Sequence, residues 1–221
     1  MRELSIALTI VLVVGLGCGT PPEKVVSDDK QPFTTVDGLV EVETDARGHL
    51  YLRKDHGIGG YDAIAIAPAF LTYRRTSAKL DPDDEDVYLV SLEQSLVDIA
   101  EAANVRIVDA AGECVIKIGA GFVNVDLARS ASAKMLGRMT LVIEYQDSMS
   151  GQSLLRYAAG ESIEREADGT SREQQIADSF DRMIEEVDMI TTLRAATIVP
   201  SPPRAGCSGT LIDAGPAAAD E

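Results

Sequence analysis

The chain has no tryptophan and only four phenylalanines and six tyrosines, which excludes a broad aromatic platform for sugars or bases. Positive charge is scarce too: 20 Lys and Arg stand against 36 Asp and Glu, a formal charge of -16. Such a surface is repelled by phosphate backbones and anionic headgroups, so nucleic acid is excluded as a partner and membrane contact requires an anchor. Histidine is limited to His49 and His56, and a zinc site would need a third ligand that the sequence does not supply. Both are expected on the surface or in turns. There is no Cys-x-x-Cys pair and no Gly-x-Ser-x-Gly elbow, which removes the readiest redox, zinc and serine-hydrolase readings. A run long enough to span a bilayer is also missing. The fourteen residues Leu4 to Gly17 would rise only about 21 Å as a helix, short of the roughly 30 Å of a hydrocarbon core, and Pro21 and Pro22 cannot extend it.

What is present is an export signal. Met1-Arg2-Glu3 leads into the apolar run, which ends at Gly15-Leu16-Gly17 and is followed by Cys18-Gly19-Thr20-Pro21-Pro22. The segment resembles the lipobox of bacterial lipoproteins, with Gly17 before Cys18; Gly15 and Leu16 stand where that pattern usually has Leu and a small residue. Cleavage before Cys18 would leave that cysteine N-terminal for lipid attachment. A general signal peptidase would also find a small-x-small site in Gly15-Leu16-Gly17 and leave a bare thiol. Gly19 follows the cysteine where the lipoprotein family's inner-membrane retention signal has Asp, so the resemblance implies an outer-membrane address with the domain in the periplasm.

The remaining cysteines, Cys114 and Cys207, could form one disulfide in an oxidising compartment. Alternatively, Cys114 in Cys-Val-Ile-Lys-Ile is a small buried hydrophobe and Cys207 a free thiol.

The organisation divides into residues 1–17 as signal, 18–38 as lipidated Cys and flexible spacer, 39–196 as one folded domain, and 197–221 as a disordered tail rich in Pro, Gly and Ala. Tyr61 to Ala67 is an apolar run stopping at Pro68, a strand. Asp81-Pro82 opens a helix with carboxylates in its first turn, and Leu89, Leu92, Leu96, Ile99 and Ala103 make one apolar stripe. Val105–Val108 and Cys114–Ile118 are β-rich, and the apolar parity shifts by one near Gly119-Ala-Gly121, which predicts a bulge there. Met139, Leu141, Ile143 and Tyr145 alternate with Thr140, Val142, Glu144 and Gln146, the turn Asp147 to Gln152 follows, and Leu155, Tyr157, Ala159 and Ile163 return on one face, a hairpin. Ser171 starts a second helix with Ile176, Phe180, Met183, Val187 and Ile190 on one side. This order predicts an α+β domain with a mostly antiparallel or mixed sheet of about five to six strands and two helices on one face.

Gly60-Tyr61-Asp62-Ala63 with Ala67-Pro68, the Leu80 to Asp84 helix entry, Arg106 to Asp109, and the Leu141 to Gly151 hairpin together resemble the bacterial lipoproteins grouped as domain of unknown function 3313. The resemblance covers about Gly38 to Ala195. It implies a folded domain behind a lipidated cysteine and transfers no catalytic residue or cofactor.

Other candidate sites reduce to structure. Asp81-Pro-Asp-Asp-Glu-Asp86 holds five carboxylates in six residues but lacks the glycine turn and distal Glu of a calcium loop, so a helix start is expected. Glu161, Glu164 and Glu166 beside Arg165 lack an aromatic subsite and are expected at an exposed strand end. No catalytic residue, cofactor or metal is expected. The functional expectation is a membrane-anchored envelope lipoprotein, a non-enzymatic module with an envelope protein partner. The alternative is an exported hydrolase or small-ligand binder whose site is dispersed in sequence.

Overall fold

The computed structural model describes residues 33–43, 47–130, 132–167 and 169–211. The signal segment, Cys18 and the spacer up to residue 32 lie outside the described residues. Among the described residues seven strands are formed: β1 Val40–Val42, β2 His49–Leu52, β3 Ala63–Ile66, β4 Phe70–Tyr73, β5 Val115–Leu127, β6 Met135–Asp147 and β7 Ser153–Glu164. Three helices accompany them, α1 Pro82–Ala102, α2 Arg172–Glu185 and α3 Met189–Ile198. The strands make one mixed sheet in the order β1-β2-β7-β6-β5-β3, with β4 also pairing β5. β3 runs parallel to the first residues of β5 and β4 parallel to its second half, while the other pairs are antiparallel. The α+β class is as the sequence implies. The extra strands β1, β2 and β4 are three or four residues long, too short for a period of two to declare itself.

The long strands follow their side chains. On β6, Met139, Leu141, Ile143 and Tyr145 are buried while Thr140, Val142 and Glu144 are half-buried on the other face. On β5 the buried set runs Ile116, Ile118, Ala120, Phe122 and then Val125 and Leu127. The parity slip sits at Asn124, whose φ is 55°, where the register with β6 shifts between Val123 and Asp126. It is not at the glycines; Gly121 is there because a Cβ would run into the Phe70 backbone of β4. Residues 105–108 do not form a strand but lie along β3, where the Ile64 amide donates to Arg106 O and the Val108 amide to Ile64 O.

Asp81 caps α1 by accepting from the Asp83 amide at 3.1 Å, with Pro82 in the first turn. Tyr88, Leu92, Leu96 and Ala100 point into the core, while Leu89, Ile99 and Ala103 of the expected stripe are half-buried at its margin. Ser171 caps α2 in the same manner. The second helix does not run on to Ile190 as its apolar spacing suggested. It ends at Glu185, and the Asp188 carboxylate accepts from the Thr191 amide at 2.8 Å to start α3, so the described residues hold three helices and not two. The Phe180 ring of α2 stacks on Tyr88 of α1 at 4.5 Å and meets Phe122 of β5 edge-on at 4.7 Å, which ties both helices to the buried face of the sheet. Among the described residues no helix is long and apolar enough to cross a membrane.

Candidate functional site: a C-terminal strap beside β3

Residues 199–211 do not trail away as the composition of 197–221 suggested. They lie against the 3-10 turn Ile58–Gly60 and the start of β3, and residues 212–221 lie outside the described ones. The strap is held at five places. His56 is buried, and its Nε2 lies 3.1 Å from Val199 O. Ser201 Oγ accepts from the Gly57 amide at 3.0 Å. The Arg204 guanidinium pairs with Asp147 and lies over the Tyr61 ring, 5.1 Å from its centre. Cys207 is disulfide-bonded to Cys114, with the Cα atoms 5.5 Å apart. Finally, Asp62 accepts from the Ser208 and Thr210 amides at 3.1 and 3.2 Å, and the Leu211 amide donates to Tyr61 O at 3.0 Å. Gly60 lets the strap approach, because a Cβ there would collide with the Arg204 backbone.

Asp147 organises the centre. Its Oδ2 accepts from the Tyr61 hydroxyl at 2.8 Å, and its Oδ1 accepts from the Ser150 amide at 2.7 Å, the Ser150 hydroxyl at 2.8 Å and the Met149 amide at 3.2 Å. Burial works against its charge, but the Ser150 contacts, Tyr61 and Arg204 outweigh it and hold the carboxyl below its ordinary value. Burial and the hydrogen bond and charge of Asp147 push the Tyr61 hydroxyl far above its ordinary value. The carboxylate therefore stays ionised and the phenol stays protonated across neutral pH. His56 has both ring nitrogens engaged. Nδ1 accepts from the Ile58 amide at 3.1 Å, which assigns the proton to Nε2 facing Val199 O. Burial lowers its pKa, against smaller raising effects of Val199 and Asp55. These polar groups are thus committed to partners, which suits the arrangement to holding a segment in place rather than to moving protons.

The residues singled out from sequence fall elsewhere or play structural parts. His49 is exposed on β2 with Nδ1 2.6 Å from Glu41 Oε1, whereas His56 is buried and not a surface residue. Asp81 to Asp86 forms the cap and first turn of α1. Glu164 and Glu166 are exposed at the end of β7 as expected, whereas Glu161 is half-buried and pairs with Arg47 at 2.8 Å and Arg182 at 2.7 Å. Among the described residues, the one group of three acidic or sulfur side chains close enough to share a metal ion is Asp62, Cys114 and Cys207, and both sulfurs are consumed by the disulfide. Sequence reasoning missed Tyr61, Asp147 and Arg204. The available signals were Arg204 as the single basic residue after Arg194, and Asp147 preceding Ser-Met-Ser, a pattern in which Asp accepts from following amides.

No family model matches the chain, and no curated protein matches it. Among solved structures it is similar to the PelC dodecamer of Paraburkholderia phytofirmans, at 12 % identity over 60 % of this chain and 87 % of that one, with a TM-score of 0.35. It is also similar to a minor lipoprotein of Acinetobacter baumannii, at 13 % identity over 62 % and 94 % with a TM-score of 0.33. A lipoprotein of Neisseria meningitidis follows at 10 % identity over 57 % and 99 %, with a TM-score of 0.30. Likeness this distant carries no argument about activity or partners.

Proposed function

We propose that the chain is a lipid-anchored lipoprotein of the bacterial cell envelope, a non-enzymatic interaction module held at the outer membrane through Cys18 with its domain in the periplasm. Membership in the lipoproteins of domain of unknown function 3313 is part of this reading. The observation that carries it is the apolar run from Leu4 to Gly17 ending at Cys18 and followed by a Pro-bearing polar spacer. Two further features support it. A chain of charge -16 is repelled by anionic membranes and needs an anchor to remain at one. The polar cluster around Asp147 is built to hold a strap, with its groups engaged on one another.

The test is fractionation of cells expressing wild type and Cys18→Ser. The wild type is expected in the membrane fraction and the variant in the soluble fraction. A variant that stays with membranes as fully as the wild type contradicts the reading.

A further inference from the structure

Helix α1 carries two apolar stripes, and the fold uses one. At about 100° per residue, Tyr88, Leu92, Leu96 and Ala100 form the buried side. Val87, Val90, Gln94 and Val97, spaced by three, four and three residues, lie on the opposite side. Val87 is 59 % and Val90 64 % exposed, and Val97 is half-buried. Neither helix propensity nor core packing explains Val87 and Val90. β-branched residues lose rotamer freedom in a helix and are poorer there than Ala, Gln or Lys, and exposed valines add no burial to the domain. A stripe with this spacing is what a second helix needs in order to pack alongside.

The charge around the stripe selects the occupant. α1 contains Asp83, Asp84, Glu85, Asp86, Glu93, Asp98 and Glu101 and no lysine or arginine. By helical geometry Asp83 and Glu101 close the two ends of the stripe, with Asp86 and Asp98 on its two sides. A second copy would bring the same carboxylates against these, which like-charge repulsion forbids. An anionic lipid surface or nucleic acid is excluded in the same way. A helix with basic flanks and an apolar ridge satisfies both the valines and the carboxylates.

We infer that the outer face of α1 is the docking surface for a cationic amphipathic helix of a protein partner. The inference rests on the interaction-module reading and adds to it the surface and the chemistry of the partner. The probes are two synthetic amphipathic peptides with the same leucine stripe, one flanked by Lys and Arg, the other by Glu, titrated calorimetrically into the full-length protein in neutral detergent. The basic peptide is expected to bind and the acidic one not. Val87→Gln with Val90→Gln is expected to weaken binding about tenfold or more, while Val36→Gln, at a fully exposed position outside α1, leaves it unchanged. Because both α1 valines are exposed, the double variant should keep its circular dichroism and melting temperature, so lost binding cannot be lost folding. Absence of binding by the basic peptide, equal binding by the acidic one, or a double variant within about twofold of wild type would each overturn the inference. None of these outcomes depends on Cys18, so failure here is separate from failure of the anchor.

Discussion

The two edges of the sheet are secured by different physics. At one, β1 is three half-buried residues paired to β2, reinforced by ion pairs that water reaches. Arg156 meets Asp37 at 2.6 Å and Glu144 at 3.0 Å, and the Arg53 guanidinium donates to Asp37 O at 2.7 Å. At the other edge, β3 is buried at Ala63 and Ile64, and beside it lies a strap fixed by a disulfide, a buried carboxylate and backbone hydrogen bonds. Pairs that water still reaches are weaker because solvent competes for each partner. A buried carboxylate with a phenol, two amides, a hydroxyl and a guanidinium on it costs more to remove, since that strands every partner. Net charge therefore describes this surface poorly as a source of stability. What holds the chain is where its few paired charges are dry.

That contrast can be broken most severely at Asp147, whose side chain is 3 % exposed. Asp147→Ala should cost about 3–5 kcal/mol in urea unfolding, and a loss under about 1 kcal/mol would show that the cluster is incidental. Cys114→Ser with Cys207→Ser opens a crosslink between residues 93 apart and should cost about 2–4 kcal/mol. A matching loss in the wild type under reductant, and none in the double variant, is the check.

A subtler way to sharpen the comparison is pH. Burial lowers the pKa of His56 from its ordinary 6.5, so between that value and the folded pKa the unfolded chain binds a proton that the folded chain resists. The contribution of His56 is therefore fully present above about pH 6.5 and declines as pH falls below it. His56→Gln should flatten the urea midpoint over this range; an unchanged slope would contradict the burial of a neutral imidazole there. Asp147 acts lower. Its depressed pKa means its contribution is present above its ordinary 3.8 and is lost as pH drops through the folded value. The smallest effect belongs to the β1 edge, where Arg156→Ala strands the half-buried Glu144 but leaves it within reach of water, and should cost about 1–2 kcal/mol. A loss as large as that of Asp147→Ala would erase the distinction between the edges.

The legible parts of the fold were those in which one residue's role repeats. The centre of the α1 stripe at Leu92 and Leu96, the alternation along β6 and the caps at Asp81 and Ser171 each involve local periodicity or a neighbour within three residues. The short strands β1, β2 and β4 were not legible because three or four residues carry no period. The division between α2 and α3 was masked by the continuous apolar spacing through Val187 and Ile190, although Asp188 could have been read as a cap. The strap was hidden for a different reason. Pro, Gly and Ser describe how freely a chain moves when alone, whereas its anchorage depends on Tyr61, Asp62, Cys114 and Asp147, which lie far from it in sequence. The cysteines, the lone Arg204 and the Asp147-Ser-Met-Ser turn pattern gave notice of it, and on their own the cysteines fit a free thiol as well.

The anchor is the centre of the account, and mass spectrometry of the N-terminal peptide from membrane-extracted protein tests it directly. The prediction is a chain that begins at Cys18 and carries acyl mass on that residue. A chain that retains residues 1–17, or one that begins elsewhere with an unmodified Cys18 thiol, would contradict it.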